Sequence, residues 1–411
     1  MIGPPPAYAP EPGPTALSRR LKALLDADVP VSCPVYLGLG PPGELSAQHA
    51  ESTHAVARQL AVRAVDALPH FNTNPPPILR VLAAVSRGRL DAIGDDPADF
   101  PDDLGSDLWR RVRALAADPA ALDPDERRHL ADLMLRLGHL SVAAEVLGMS
   151  GADPETHHFD RVTAVEQLAV LFRRGRDTRV LERRALAVAR DRTYPARIRY
   201  IMANFVVVRN GRRGEDAPAL HEAAELAVEA VGGLDTTPFA AHLATQTVYR
   251  AVAFVPFVRR DGAETLKILD RAEEHQLAAE PLAEGPLQRL AWIDHAFPLY
   301  ETIGRTHLRL GDAVEAVAAT DTLARLSPHD PRAWDMRGHA LVLAGRAEDA
   351  VLAYGHALPI GGLPVAKAAF QLGWLHAQLG HRDAALDFYR MSQRIDPTVP
   401  VLEDLIESAR R

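Results

Sequence analysis

The sequence predicts an all-α fold, an α-solenoid of helical hairpins with an irregular N-terminal helical cap. Of the 411 residues, 47% are hydrophobic but only 6% are aromatic, so the core must be built from Ala, Leu and Val, which suit close-packed helices better than sheets. From about residue 105 onward, apolar residues recur at helical spacing with short turns and no convincing strand. Small residues and proline also recur at a fixed period near the C-terminus, which is typical of repeat architectures.

The composition excludes several classes of protein. The chain is too apolar for a disordered protein and too evenly mixed in polarity for a membrane protein. Its longest strongly apolar run, Ala251 to Val258, is too short to span a bilayer. The net charge of −8 disfavours nonspecific binding to nucleic acid. Only three of the 46 basic residues are lysine, a bias typical of a GC-rich bacterial genome, so abundant arginine alone indicates no site.

The N-terminal quarter differs from the rest. Residues 1–14 hold six prolines and no apolar period, which predicts a disordered leader. They show neither the basic nor the apolar region of a signal peptide, and we expect a cytoplasmic protein. Residues 15–104 are predicted to form a helical region with an extended loop, Val29 to Pro42, that caps the array. Cys33, the single cysteine, allows no intrachain disulfide and no cysteine-based zinc site.

Three sets of small residues repeat every 34 or 35 positions in the C-terminal part. The first glycine and the alanine of each unit let the two helices of a hairpin approach closely, and the second glycine makes the turn between them. Tyr354 and Tyr389 fill the space beside the alanine in two units, whereas Thr320 takes that place in the first. The three sets are Gly304, Gly338 and Gly373; Gly311, Gly345 and Gly380; and Ala316, Ala350 and Ala385.

These positions resemble the pattern of the tetratricopeptide repeat family, which is W-x2-L-G-x2-Y, then A-x3-F, then P. Three consecutive units are in phase: Phe297 to Pro328, Pro331 to Pro364 and Ala366 to Pro397. The resemblance implies a right-handed superhelix whose first helices line a concave groove, and grooves of this family usually bind a peptide segment or another protein. We therefore expect residues 286–411 to form a tetratricopeptide array. The unit with the best match carries Trp334, Gly338, Leu341, Ala350, Tyr354 and Ala357.

Upstream of this array the match decays. Residues 105–285 are predicted to form degenerate hairpins of the same kind, with longer helices. Glycines that follow helical stretches predict turns at Gly175, Gly211 and Gly262, at intervals that are longer and less even than the family period. The sequence leaves open whether this middle part continues the superhelix or forms a separate block.

The resemblance also indicates which side chains of the first helices face the groove. The carboxylate clamp of chaperone cofactors needs Asn where this chain has Arg305, His339 and Trp374, so we do not expect binding to chaperone C-termini. Four cations and two aromatic rings remain, and they suit an acidic protein or peptide segment with an apolar anchor on Trp374. In the alternative interpretation, Trp374 packs between repeats and the arginines are solvated. The groove-facing residues are Glu301, Arg305, Arg309, Arg332, Asp335, His339, Lys367, Phe370, Trp374 and Gln378.

No motif for catalysis is visible in the sequence. The chain has no glycine-rich phosphate loop, no G-x-S-x-G and no H-E-x-x-H, so no catalytic residue, cofactor or metal ligand is predicted. The cluster of His157, His158 and Asp160 is better explained by helix capping than by a metal site. The ten arginines between Arg173 and Arg199 favour a helical surface over a nucleic-acid site.

The sequence therefore predicts a cytoplasmic protein–protein interaction module, a scaffold or adaptor that binds a partner segment in the concave groove. Two alternatives stay open. The first is an enzyme, or an essential accessory subunit of a biosynthetic enzyme, with a site between the N-terminal helices and the concave face. The second is a nucleic-acid-responsive regulator, which would use the arginine-rich segment.

Overall fold

The computed structural model describes residues 6–10, 115, 117–137, 140–174, 177–326, 330–360 and 364–410. Within these ranges the regular secondary structure is helical and contains no strand. The helices follow one another with short connections, and each packs on its neighbours along the chain. The predicted all-α hairpin architecture is confirmed. None of the described helices is both long and apolar enough to cross a bilayer.

The first part of the described chain is a succession of helices before the predicted array. Helix α5 packs extensively on α6, and α7 packs extensively on α9. These two pairs are hairpins of the degenerate repeats predicted for residues 105–285. The helices are α1 (Pro124–Leu137), α2 (Leu140–Val146), α3 (Ala164–Arg173), α4 (Thr178–Arg190), α5 (Ala196–Arg213), α6 (Pro218–Gly232), α7 (Pro238–Val252), α8 (Phe254–Val258) and α9 (Gly262–Ala279).

The C-terminal part contains the three predicted repeats, each as a pair of helices in contact. The first of these helices begins at Gly285, well before the predicted start at Phe297, because Pro298 lies inside the helix instead of ending it. The pairs are α10 (Gly285–Leu310) with α11 (Ala313–Leu326), α12 (Pro331–Leu343) with α13 (Ala347–Ala357), and α14 (Pro364–Gln378) with α15 (Arg382–Ile395), and α16 (Val401–Arg410) packs on the last pair.

The apolar core runs along the stack of helices. One large cluster of buried side chains extends from Leu122 to Ala251, and a second extends from Ala316 to Ile406. Smaller clusters occupy the stretch between them, including one formed by α9 and α10 around Leu269. A core of this shape is expected of a repeat array, because each hairpin can bury its apolar face only against the next one.

Glycine has the two predicted roles in the C-terminal repeats. Gly311, Gly345 and Gly380 lie in the left-handed region with φ of 81°, 75° and 81°, and they make the turns between paired helices. A Cβ atom on Gly338 would lie 2.7 Å from the ring of Tyr354. Gly304 has more room, since its nearest neighbour would be the Thr320 methyl group at 3.4 Å.

The predicted turns at Gly211 and Gly262 are wrong. Gly211 lies inside α5, which ends at Gly214 with φ of 70°. Gly262 is the first residue of α9. Both are sites of close packing, because a Cβ atom would lie 2.4 Å from Phe254 at Gly211 and 2.5 Å from Leu310 at Gly262. Gly175 lies outside the described residues.

The predictions for residues 15–104, including the cap, the extended loop and Cys33, lie outside the described part of the chain. Of the predicted leader, residues 6–10 are described, and they contact the last repeat. Whether the leader as a whole is disordered stays a prediction.

One buried acid stands out among the first helices. Glu166 on α3 is 6% exposed, and its Oε2 atom has no hydrogen-bond partner among the described residues. Burial, and then the negative charge of Asp132, raise the pKa of Glu166 to about 7. Its carboxyl group therefore holds a proton at pH values where exposed glutamates are ionised.

We expect Gly338→Ala to destabilise the protein by about 1 to 3 kcal/mol, because the added methyl group overlaps the fully buried ring of Tyr354. The matched control is Gly304→Ala, where the methyl group has room and alanine's helix propensity makes the change neutral or stabilising by up to about 1 kcal/mol. Urea unfolding followed by circular dichroism measures both. Equal effects of the two substitutions would contradict the packing role of the first glycine.

Glu166→Gln should change the pH dependence of stability. The unfolded chain loses the Glu166 proton near its ordinary pKa of 4.5, while the folded chain keeps it up to about 7. The stability that the protonated group provides is thus present below 4.5 and lost as the pH rises to about 7. Glutamine cannot ionise, so the variant should gain up to about 3 kcal/mol at pH 8 and almost nothing at pH 4.

The measurement is the urea midpoint of unfolding at both pH values. Glu264→Gln, which removes an exposed carboxylate on α9, serves as the control and should show no such gain. A gain for Glu166→Gln that is the same at pH 4 and pH 8 would show that the carboxyl group is not kept protonated by the fold.

Candidate partner-binding site

A cavity of about 920 Å³ opens between α5, α7, α8, α9 and α10. Three of these helices, α5, α7 and α10, are the first helices of successive hairpins. First helices are the ones that the tetratricopeptide resemblance places along the groove. We refer to this space as the arginine cavity because five arginines line it: Arg212, Arg213, Arg250, Arg305 and Arg309.

The charges in the arginine cavity are only partly balanced. Arg213 forms ion pairs outside it with Glu182 at 2.5 Å and Glu215 at 3.0 Å. Arg305 pairs at 2.9 Å with Glu301, the one carboxylate among the described residues of the cavity wall. The other three arginines have no hydrogen bond or ion pair with any residue that the structure describes; they are Arg212, Arg250 and Arg309.

Arg250 on α7 is the most confined of the three. Its Nε atom is buried and has no hydrogen-bond partner in the described chain. Burial lowers the pKa of its guanidinium group; Glu301 offsets part of this shift and Arg212 adds to it. The group nevertheless stays charged at neutral pH, as arginine does in proteins. A confined positive charge without a full set of acceptors favours the binding of an anion.

An aromatic wall lies beside these charges. Phe254 and Phe257 meet edge to face with their ring centroids 6.0 Å apart, and both are half-buried. The guanidinium of Arg309 lies over the ring of Phe257 at 4.2 Å, a cation–π contact that holds the cation at the rim of the cavity. The cavity thus offers both cationic donors and an apolar surface.

Three of the residues predicted to face the groove, Glu301, Arg305 and Arg309, lie together in the arginine cavity. Two other predicted cations are engaged within the protein. Arg332 is paired with the buried Asp330 and lies over a phenylalanine ring. Lys367 is paired with Asp335 at 2.7 Å. These two side chains, both predicted to contact the partner, therefore bind each other.

The remaining predicted groove residues lie near the last two hairpins. Burial, and then the nearby Lys367, lower the pKa of the half-buried His339. Phe370 is fully buried, while Gln378 is exposed. Trp374 is 6% exposed and belongs to the apolar cluster of the C-terminal repeats. This placement agrees with the packing alternative, and the anchor role of Trp374 stays a prediction.

The sequence reasoning missed the half of the arginine cavity that lies upstream of the clear repeats. Arg212, Arg250, Phe254 and Phe257 were not assigned to a groove. The repeat phase that would have placed them was lost because Gly211 was interpreted as a turn residue, although α5 continues to Arg213. The apolar run from Ala251 to Val258, which contains Phe254 and Phe257, is the sequence feature that indicates an apolar wall there.

The arginine-rich segment between Arg173 and Arg199 mostly serves to join neighbouring helices. Three of its arginines pair with glutamates of the next helical region: Arg179 with Glu215 at 2.6 Å, Arg190 with Glu222 at 2.5 Å, and Arg192 with Glu229 at 2.9 Å. Others donate to backbone carbonyl oxygens, as Arg174 does to that of Met149 at 3.0 Å. These contacts support the helical-surface interpretation of the segment.

The cluster at His157, His158 and Asp160 also has a structural role. Asp160 accepts hydrogen bonds from the backbone N–H groups of Val162 at 2.7 Å and Thr163 at 2.6 Å. These bonds order the turn before α3, whereas the N-cap residue of α3 is Thr163 and makes no side-chain capping bond, so the predicted capping role of Asp160 is wrong. In the described part of the chain, no group of three or more metal-binding side chains is close enough to hold an ion.

A second cavity of about 560 Å³ lies between α1, α3, α5, α7 and α10. Its wall contains Glu166 and also side chains of both charges, such as Arg128, Arg197 and Asp294. Because the charges are mixed, this cavity selects no single class of ligand. The arginine cavity is therefore the stronger candidate for a binding site.

Residues 366–399 match the family model described as tetratricopeptide repeat, and no curated protein matches the sequence. Among solved structures, a complex of yeast Sti1, titled TPR2AB-domain:pHSP90, is similar at 13% identity over 60% of this chain and 93% of that one, with a TM-score of 0.27. The APC/C hetero-tetramer Cut9-Hcn1 is similar at 13% identity over 95% and 99%, with a TM-score of 0.22.

TM-scores of 0.27 and 0.22 carry no argument about the site. The match to the family model is more specific, because residues 366–399 cover almost all of α14 and α15. This is one of the three hairpins whose glycine, alanine and tyrosine spacing predicts the repeat. Residues 366–399 are therefore similar to a tetratricopeptide repeat in both sequence and helical structure.

Proposed function

We propose that this protein is a cytoplasmic scaffold or adaptor that holds an acidic segment of a partner protein in the arginine cavity. Tetratricopeptide repeats serve protein interaction in general, and the observation that carries the finer proposal is the unbalanced charge of the cavity. Arg212, Arg250 and Arg309 converge there without a carboxylate partner in the described chain. The single cysteine, which leaves no disulfide framework, is consistent with the cytoplasm.

The geometry suits a segment with acidic and apolar residues in alternation. Guanidinium groups bind carboxylates through two parallel hydrogen bonds, so the free arginines can each take one acidic side chain. An apolar side chain of the partner would pack on Phe254 and Phe257 between these contacts. A cavity of about 920 Å³ has the volume of a pocket for several side chains, which favours a short segment over a folded domain.

This proposal moves the acidic-binding site away from the last two repeats. Arg332 and Lys367 were predicted to contribute to it, but each is paired with an aspartate of the protein itself. An acidic partner would have to break those pairs to bind there, whereas the arginine cavity requires no such exchange. The proposed site is thus centred on α5, α7 and α10.

Replacing two of the unpaired arginines should weaken the binding of acidic peptides. The probe is a fluorescein-labelled 12-residue peptide of alternating Asp and Glu with one central Phe, measured by fluorescence anisotropy. We expect Arg250→Gln/Arg309→Gln to weaken binding at least about tenfold, since each charged hydrogen-bonded contact contributes about 1.5 to 3 kcal/mol. A peptide with Asn and Gln in place of Asp and Glu should bind weakly to every variant.

The matched control is Arg192→Gln/Arg346→Gln, which removes the same charge from exposed ion pairs outside the cavity. It should bind the acidic peptide within about twofold of the wild type. Circular dichroism must show equal helicity for all three chains. If the cavity variant and the control bind equally well, or if the acidic and neutral peptides bind alike, the arginine cavity is not the recognition site.

Binding of the acidic peptide should weaken as salt is added, because ions screen charges at the cavity mouth. Between 50 and 500 mM NaCl we expect the affinity of the wild type to fall by at least about fivefold. The Arg250→Gln/Arg309→Gln variant should show a clearly shallower dependence. An affinity of the wild type that does not change with salt would mean that apolar contacts alone hold the peptide.

A further inference from the structure

Residues 6–10, with the sequence Pro-Ala-Tyr-Ala-Pro, lie against the last hairpin although nearly 400 residues separate them along the chain. The ring of Tyr8 meets that of Phe370 edge to face, with centroids 5.5 Å apart. The Tyr8 hydroxyl donates a hydrogen bond to Oδ2 of Asp396 at 2.8 Å. One side chain of the leader thus makes an apolar and a polar contact with the same surface.

The burial pattern of the five-residue segment alternates along the chain, as that of a docked extended segment does. Pro6, Tyr8 and Pro10 are half-buried, while Ala7 and Ala9 are exposed. Alternate residues face the protein, as expected of an extended chain lying flat on a surface. Prolines on both sides of the tyrosine restrict the segment to extended conformations before it binds, which reduces the entropy lost on docking.

The surface that receives Tyr8 is held in place by other contacts of the repeat. Phe370 on α14 is fully buried and also packs on Tyr389 of α15, with centroids 6.2 Å apart. Asp396 is fully buried at the end of α15, and its Oδ1 atom accepts hydrogen bonds from the Thr398 backbone at 3.1 Å and hydroxyl at 2.7 Å. The carboxylate of Asp396, which accepts the hydrogen bond of the Tyr8 hydroxyl, is therefore held in a fixed position beside the rings of Phe370 and Tyr389.

We propose that this surface, formed by Phe370, Tyr389 and Asp396, is a second docking site, specific for an extended tyrosine segment flanked by proline, and that residues 6–10 occupy it within the same chain. A tyrosine ring can pack on Phe370 while its hydroxyl group donates to the carboxylate of Asp396. Phenylalanine would lack the donor, and an acidic segment would be repelled by Asp396.

This site is distinct from the arginine cavity in both place and chemistry. None of the three residues lines the cavity, and the ligand is an uncharged aromatic side chain instead of an acidic one. The inference does not depend on the proposed function. Its consequence is that any partner with a similar tyrosine segment can reach the last repeat only after residues 6–10 have left.

The first test is hydrogen exchange on the full chain, comparing wild type with Tyr8→Ala, Tyr8→Phe and the control Ala9→Ser, whose side chain is exposed. In Tyr8→Ala we expect the amides from Asp396 to Leu402 to exchange at least about tenfold faster, because Asp396, which holds the Thr398 backbone, loses its bond to Tyr8. Tyr8→Phe should give an intermediate rate, and Ala9→Ser the wild-type rate. Identical rates in Tyr8→Ala and wild type would overturn the proposal.

The second test uses a labelled peptide of residues 1–14 added to the full-length chains. It should bind the Tyr8→Ala chain, whose own segment has lost its anchor, at least about tenfold more tightly than wild type, where residues 6–10 compete. A peptide carrying Tyr8→Phe should lose roughly tenfold in affinity, because the hydrogen bond to the carboxylate is missing. Equal binding of the first peptide to both chains would overturn the proposal.

Both tests are repeated at several protein concentrations with the molecular mass measured by light scattering. Docking within one chain requires that the protection of residues 396–402 be independent of concentration. Protection that rises together with a dimer would show that the segment comes from a second copy, and would overturn the assignment to the same chain.

Discussion

The close approach of the two helices in each hairpin is the constraint on which the rest of the structure depends. A helix pair in this chain has few aromatic side chains to fill gaps, so the pair must be tight. Gly338 meets this requirement by leaving no atom where the Tyr354 ring lies. Upstream, Gly211 and Gly262 make close contacts outside the hairpin pairs, with Phe254 of α8 and Leu310 of α10. Glycine thus allows tight packing both within a hairpin and against neighbouring helices.

The same tight packing explains where charges can remain unbalanced. Between well-packed helices, arginines pair with nearby glutamates, as Arg190 of α4 does with Glu222 of α6. At α7 to α10 the short α8 and the long Pro298-containing α10 interrupt the regular pairing. The arginine cavity lies at this irregularity, so the proposed binding site coincides with the place where the repeat is least regular.

The sequence was sufficient to predict the fold class, the three C-terminal hairpins and both glycine roles, because these follow from local spacing. It could not place Arg250, since that depends on how α7 packs against α10, which lies about 50 residues further along the chain. It also could not tell a solvated cation from a paired one: Lys367 and Arg309 look equivalent in the pattern, yet only Lys367 has an aspartate within reach. The partner of a side chain in a solenoid lies on another repeat, and its distance along the chain varies.

The two proposed binding surfaces, the arginine cavity and the Phe370 surface, differ in their charge. The arginine cavity carries positive charge without partners, whereas the Phe370 surface ends in the buried carboxylate of Asp396. Under the two proposals an acidic segment would be attracted to the first and repelled by the second, so the two sites would not compete for one ligand. Residues 1–18 contain one acidic residue, Glu11, and no lysine or arginine. Because charge therefore contributes little, docking of the segment depends on Tyr8 and the prolines beside it. Under the two proposals, specificity along this solenoid would thus come from local charge and shape at individual hairpins.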